Sequence, residues 1–176
     1  MDWNKLRRKL CGRLGMALLA GLISCCSISY KFNGASIDYT RVKSISIRDF
    51  PNMASLVYPP LAQRFTEELK DKYTRQTRLQ VLRENGTLDL EGEITGYDLA
   101  PQAVREDAYA SMTRLTVTVR VRYANKVNEE EDFEQNFSSY REFSNSNTID
   151  QVQDELCAEI IKELVDLIYN ATVANW

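Results

Sequence analysis

From Thr113 to Tyr123 the chain alternates without a slip. Thr113, Leu115, Val117, Val119, Val121 and Tyr123 fall on one side, and Arg114, Thr116, Thr118, Arg120 and Arg122 on the other. Successive side chains of a strand point to opposite faces, so this stretch is a strand with one face on a core and one facing water. Such a strand needs an apolar cover for one face and leaves the other polar. Further strands follow the same rule. Lys43, Ile45 and Ile47 alternate with Ser44, Ser46 and Arg48 until Pro51 ends the run. Leu88, Leu90, Gly92 and Ile94 alternate with Asp89, Glu91, Glu93 and Thr95 in a strand ending before Pro101. After a turn at residues 125–128, Phe133, Phe137 and Phe143 share a parity with Gln135, Ser139 and Arg141. Residues 79–82 read only as a short extended piece. Asn85-Gly86 after them is a strong turn signal, and residues 100–110 read as a polar loop.

The cover comes from two helical patterns. Pro59-Pro60 suits the first turn of a helix; Leu61, Phe65, Leu69 and Tyr73 then recur every four residues, with Arg64, Glu67, Lys70 and Asp71 on the other sides. Asn147 or Thr148 caps a second helix. Its stripe is Ile149, Val152, Leu156, Ile160, Leu164 and Leu167, widened by Ile161, Val165 and Ile168, and it runs to about Tyr169. The expected order is β-α-β-β-β-α. A right-handed crossover makes the first two strands parallel, and the later strands form a meander. This is an α/β two-layer sandwich, a four-stranded mixed sheet with both helices on one face. The opposite face is left for solvent or a partner.

The N-terminal stretch belongs to none of this. Lys5, Arg7, Arg8, Lys9 and Arg13 precede an uncharged run from Leu14 to Ile23, and the run closes on Leu22-Ile23-Ser24-Cys25. Basic start, short apolar run, small residue and cysteine make a bacterial lipoprotein signal. A membrane span needs about 20 mostly apolar residues, and here Ser24, Ser27 and Ser29 interrupt the stretch. The chain therefore divides into a signal peptide (1–24), a tether lipidated at Cys25 (25–40) and one folded domain (41–176).

Charge and composition exclude several functions. Without residues 1–24 the chain keeps 17 basic and 24 acidic residues, a net charge of −7, which does not suit nucleic-acid binding. There is no histidine, and with it goes the commonest general base at neutral pH. Cys26 and Cys157 make no metal spacing. No catalytic residue, metal site or cofactor is expected beyond the covalent lipid on Cys25. Asp89, Glu91 and Glu93 put three carboxylates on one strand face. They read as cross-strand ion pairs with Arg114, Arg120 and Arg122, Asp89 falling near Arg120, rather than as a cation site. The run from Glu129 to Asp132 reads as a solvated turn.

Three stretches carry a resemblance: Leu90-Glu91-Gly92-Glu93-Ile94-Thr95-Gly96-Tyr97, Phe137-Ser138-Ser139-Tyr140-Arg141-Glu142-Phe143, and the end from Ile168 to Trp176. Together with the lipoprotein signal and the order of elements, they resemble the LptE family of lipopolysaccharide-assembly lipoproteins in its Bacteroidetes form. The resemblance implies a non-catalytic outer-membrane lipoprotein that plugs a large β-barrel of the LptD type, helps assemble it, and contacts lipopolysaccharide. It implies basic ligand contacts in two places. In the loop before the third strand Arg105 fills that place, with Arg114 close by. In the turn before the last helix Asn145, Ser146 and Asn147 offer no cation. The anchor is expected at the periplasmic face of the outer membrane. The alternative is a structural lipoprotein subunit of another envelope secretion or lipid-transport complex.

The signal reading has a direct test. A clickable fatty acid fed to expressing cells should label the wild-type chain and leave a Cys25→Ala variant unlabelled; equal labelling of both would reject Cys25 as the acceptor.

Overall fold

A computed structural model describes residues 37–173 apart from residue 57 and residues 103–110. The signal segment, Cys25, Arg105 and the last three residues of the tail lie outside the described residues. The elements are β1 (Ser44–Ile47), α1 (Pro60–Gln76), β2 (Gln80–Leu82), β3 (Leu88–Pro101), β4 (Met112–Asn125), a 3-10 turn (Glu129–Glu131), β5 (Phe133–Ser144) and α2 (Ile149–Thr172).

The sheet has five strands, not four, in the order β2-β1-β3-β4-β5. The added strand is β2, the short extended piece at residues 80–82. Three residues with no alternation give no strand signal of their own, and only pairing with β1 makes them one. Both neighbours of β1 are parallel to it, with Ser44 opposite Gln80 and Ile45 opposite Leu88. β3, β4 and β5 are antiparallel in sequence order.

This topology changes the role of Asn85-Gly86. The pair does not close a hairpin. It carries the chain from one side of β1 to the other, directly over the β1 backbone. A Cβ on Gly86 would lie 2.3 Å from the Ser46 nitrogen and 2.8 Å from the Ile45 carbonyl carbon. Glycine is needed for space, since the residue with positive φ is Asn85 (60°). The outward side chains of β1 strap the crossover down. Gly86 N–H donates to Ser46 Oγ (3.2 Å) and Thr87 N–H to Ser44 Oγ (3.1 Å). Ser46 is fully buried and also donates to Asp89.

Beyond β1 the chain keeps following β3. Arg48 N–H donates to the Leu90 carbonyl (3.1 Å), Ile94 N–H to Pro51 (2.9 Å) and Met53 N–H to Ile94 (2.8 Å). Phe50 is buried at this point, where Gly92 leaves room for it; a Cβ there would sit 2.6 Å from the Phe50 ring. A bulge between Ile94 and Gly96 then resets the alternation of β3, so that Tyr97 and Leu99 continue the inward side.

One core covers the inward face. Leu61, Phe65, Leu69 and Tyr73 of α1 are buried as the stripe predicts, and so are Ile160, Ile161, Leu164, Val165 and Ile168 of α2. They share a cluster with Ile45, Leu90, Leu115, Val119 and Val121. Both helices therefore lie on one face of the sheet. Leu167, placed in the stripe by its spacing, is exposed instead; Ile168 and Cys157 fall on the buried side. Burial pushes the Cys157 thiol up to about 11.

Helix α2 starts with Thr148 as N-cap, whose N–H donates to Gln151 Oε1 (2.9 Å). It runs to Thr172 rather than Tyr169. No glycine or proline stops it there, and the extra turn is held by Thr172, whose hydroxyl meets the buried Tyr73 hydroxyl. Tyr169 likewise donates to the Gln76 carbonyl (3.2 Å) at the end of α1. Toward the opposite end of the helix pair, Tyr58 donates to Asp154 and Arg64 Nη1 to the same carboxylate (3.1 Å). Burial and that acceptor push the Tyr58 hydroxyl up to about 12.

Overpacking a filled site costs about 1–3 kcal/mol, and stranding a buried donor costs a similar amount. A Gly86→Ala variant should therefore melt several degrees below wild type, and Ser46→Ala, which removes the acceptor of Gly86 N–H, should do the same. Unchanged thermal unfolding of both by circular dichroism would rule out the close crossover.

Candidate functional site

The outward face of β3, β4 and β5 is a grid of polar side chains. Register makes the rows. Glu91 is opposite Arg122, and Arg122 opposite Glu134; Glu93, Arg120 and Asn136 form the next row; Asp98, Thr116 and Tyr140 a third; Ala100, Arg114 and Glu142 the last. Between them Thr118 and Ser138 share a hydrogen bond (2.9 Å). Arg122 reaches Glu91 and Glu134 (3.0 Å each), Arg120 reaches Glu93 (3.0 Å), and Arg48 adds a second cation to Glu91 (2.6 Å). The three carboxylates singled out in the sequence are thus bound by basic partners, as the ion-pair reading expects. The register itself differs. Asp89 is opposite Ala124, not Arg120, and its partner is Lys126 (2.6 Å) beyond the end of β4. The offset follows from where the hairpin closes, at Pro101 opposite Thr113, and from the bulge that lies between that point and Asp89; alternation reveals neither.

Arg114 lies on this face at its far end. Its Nε and Nη2 donate to Glu142 Oε1 (3.0 and 2.6 Å), and its guanidinium stacks on the Tyr140 ring 4.1 Å from the centroid. Tyr140 is half exposed. Its even parity, opposite to that of Phe137 and Phe143, put it on the outer face, and that was the signal available in the sequence. Arg105 lies outside the described residues. The turn that lacks a cation is close to the start of β4: Asn145 N–H donates to the Ser111 carbonyl (3.0 Å), Asn145 Nδ2 to Ser111 Oγ (2.9 Å), and Thr113 Oγ1 to Asn145 Oδ1 (2.7 Å). Ser111, which follows the loop implied as one ligand contact, and Asn145, in the turn implied as the other, therefore meet at one end of the domain.

The acidic run at the other end is exposed, as a solvated turn should be. It also closes the β4–β5 hairpin: Asp132 accepts from Asn125 N–H (2.6 Å) and Glu131 from Asn125 Nδ2 (2.7 Å).

A family comparison decides what this domain is. The model of the LptE family, described as lipopolysaccharide-assembly, matches residues 42–172. The chain belongs to the LptE family. Among solved structures it is similar to an uncharacterized lipoprotein B from Nitrosomonas europaea, with a TM-score of 0.51 at 12% identity over 76% of this chain and 83% of that one. That likeness supports the fold. A minor lipoprotein from Acinetobacter baumannii matches with a TM-score of 0.47 at 16% identity, covering 72% and 94% of the two chains. A rare lipoprotein B from Shewanella oneidensis matches at 0.47 and 8%, covering 73% and 88%. No curated protein matches the chain. In this LptE-family chain no helix of the described residues is long and apolar enough to cross a membrane.

One device guards the free edge of the sheet. β5 is an edge strand, and such strands invite unwanted pairing unless a charge or a cover blocks it. Arg141 sits on the inward parity, donates to Glu159 (2.7 Å) and Glu163 (2.7 Å) of α2, and also caps the Tyr140 carbonyl (2.8 Å). Arg141 and Ser139 hold the Glu163 carboxyl below its usual 4.5. A depressed carboxyl adds stability above its unfolded pKa, and that stability is lost as pH falls through the folded value. Arg141→Gln should therefore be less stable than wild type at neutral pH, by about 0.2–1 kcal/mol for so exposed a pair. The gap should close as the pH drops below 4.5. Urea melts at two pH values measure it; a gap that persists in acid would mean the loss is of packing, not charge.

Proposed function

We propose that this LptE-family protein is a lipid-anchored, non-catalytic component of the lipopolysaccharide translocon. Cys25 carries the lipid, residues 25–40 form the tether, and the domain from residue 41 fills the lumen of a large outer-membrane β-barrel of the LptD type and assists its assembly. The observation that carries this reading beyond family membership is the outer face of the sheet. Among the described residues it offers rows of mutually neutralised ion pairs and hydroxyls and no broad apolar patch. A barrel interior is polar and wet, so a plug needs such a face rather than a greasy one. Two or three acyl chains give stable anchoring where one does not. The anchor holds the domain at the periplasmic face of the outer membrane. Lipopolysaccharide is contacted at the end where Ser111 and Asn145 meet, with Arg105 and Arg114 as the cations. Guanidinium groups bind phosphate in a bidentate way.

Affinity purification of the tagged protein from detergent-solubilised outer membrane should recover a large β-barrel together with lipopolysaccharide. Arg105→Ala should keep the barrel and lower the lipopolysaccharide recovered. Recovery of a secretion or phospholipid-transport complex in place of the barrel would reject the translocon assignment, and undiminished lipopolysaccharide with Arg105→Ala would reject that residue's role.

A further inference from the structure

The chain enters the described domain at Ile37, and the surface around that entry is basic. Ile37 and Tyr39 pack against the core. Tyr39 lies beside the last turn of α1 and the start of β2, with the Arg78 guanidinium 5.9 Å from its ring centroid. Lys43 accepts Gln80 N–H through its carbonyl (2.9 Å), which places it next to the same stretch, and Arg41 closes the turn that begins at Asp38 (3.0 Å). Arg75 is on the last turn of α1. All four cations are exposed.

Their charges are poorly countered. Arg75 pairs with Asp71 (2.9 Å). Among the described residues no carboxylate lies within 4.0 Å of Arg41, Lys43 or Arg78. Asp38 is nearby, but its carboxylate is taken by the N–H (3.0 Å) and hydroxyl of Thr40. The acidic stretch from Glu129 to Asp132 is at the same end of the sheet but on the opposite edge, between β4 and β5. Four strand spacings separate that edge from β2, about 19 Å. This exceeds the Debye length of about 8 Å at physiological salt, so the two patches act as separate poles.

Cys25 is 12 residues before Ile37, a reach of at most about 40 Å. We infer that Arg41, Lys43, Arg75 and Arg78 form a docking surface for the anionic phospholipid headgroups of the leaflet that holds the anchor. The inference rests on the lipid-anchor reading and adds to it: a lipid chain tethers the domain, and the basic pole orients it. Repulsion of the acidic edge sets the tilt, with the β2 edge toward the lipid and the β5 edge away. Such a surface contributes about fivefold in binding per basic residue at an anionic membrane.

The test uses the full, cell-processed lipoprotein reconstituted into vesicles. A fluorophore is placed by Thr74→Cys near the basic pole, or by Ser146→Cys at the other end, each with Cys26→Ser, and a quencher is carried on lipid headgroups. Failure to enter vesicles at all would overturn the anchor reading instead. With the anchor in place, the fluorophore at position 74 should be quenched several-fold more in vesicles containing phosphatidylglycerol than in phosphatidylcholine alone. High salt, or the combined R41Q, K43Q, R75Q and R78Q changes with an unaltered melting curve, should abolish the difference. Quenching at position 74 that is equal in the two lipids, insensitive to salt, or weaker than at position 146 would overturn the proposal.

Discussion

The crossing of residues 85–87 over β1 is the constraint on which the rest of the structure depends. β1 is only four residues long, yet it is the strand that joins the parallel half of the sheet to the antiparallel meander. Pairing on both edges, a helical core on one face and a peptide chain pressed on the other leave its polar groups little access to water. Buried polar groups must then find partners within the protein, and Ser44 and Ser46 supply them. A larger residue at 86, or an apolar one at 46, would lift the crossover and loosen β3 from β1. The outer face of the meander depends on the same register.

From that register follows an outer face that is polar without being sticky. Each row of the grid puts acid beside base, so the face presents many hydrogen-bonding groups but little net field. It can sit in a wet enclosure without attracting stray ions or apolar surfaces. Charge without a partner is found elsewhere, at the pole where the tether enters. The inward side of β5 follows the same economy: Arg141 ties the edge strand to α2 and caps the Tyr140 carbonyl on it.

Much of this was legible in the sequence because it depends on local periodicity. The alternation of β4, the four-residue stripe of α1 and most of the α2 stripe each report a single element against one core, and all were found where expected. The outward parity of Tyr140 and Arg114 was equally readable. What failed was set by partners, although the parallel first pairing, the meander and the Arg120–Glu93 and Arg122–Glu91 pairs were found as expected. β2 has no pattern of its own; Leu167 has the right spacing but the wrong side; Asp89 pairs with Lys126 because of where the hairpin closes and the bulge along it.

By itself, then, the sequence determined most of the residues that face inward, how many helices cover them, and that the other face would be polar and histidine-free, since these depend only on side-chain chemistry and the two backbone repeats. Only the tertiary structure decided that Asn85-Gly86 crosses a strand instead of turning a hairpin, and that residues 111 and 145 meet. It also decided that four cations scattered between residues 41 and 78 share one pole. Those are distances between segments remote along the chain. They are fixed by pairing and packing across the whole domain, which no local pattern encodes.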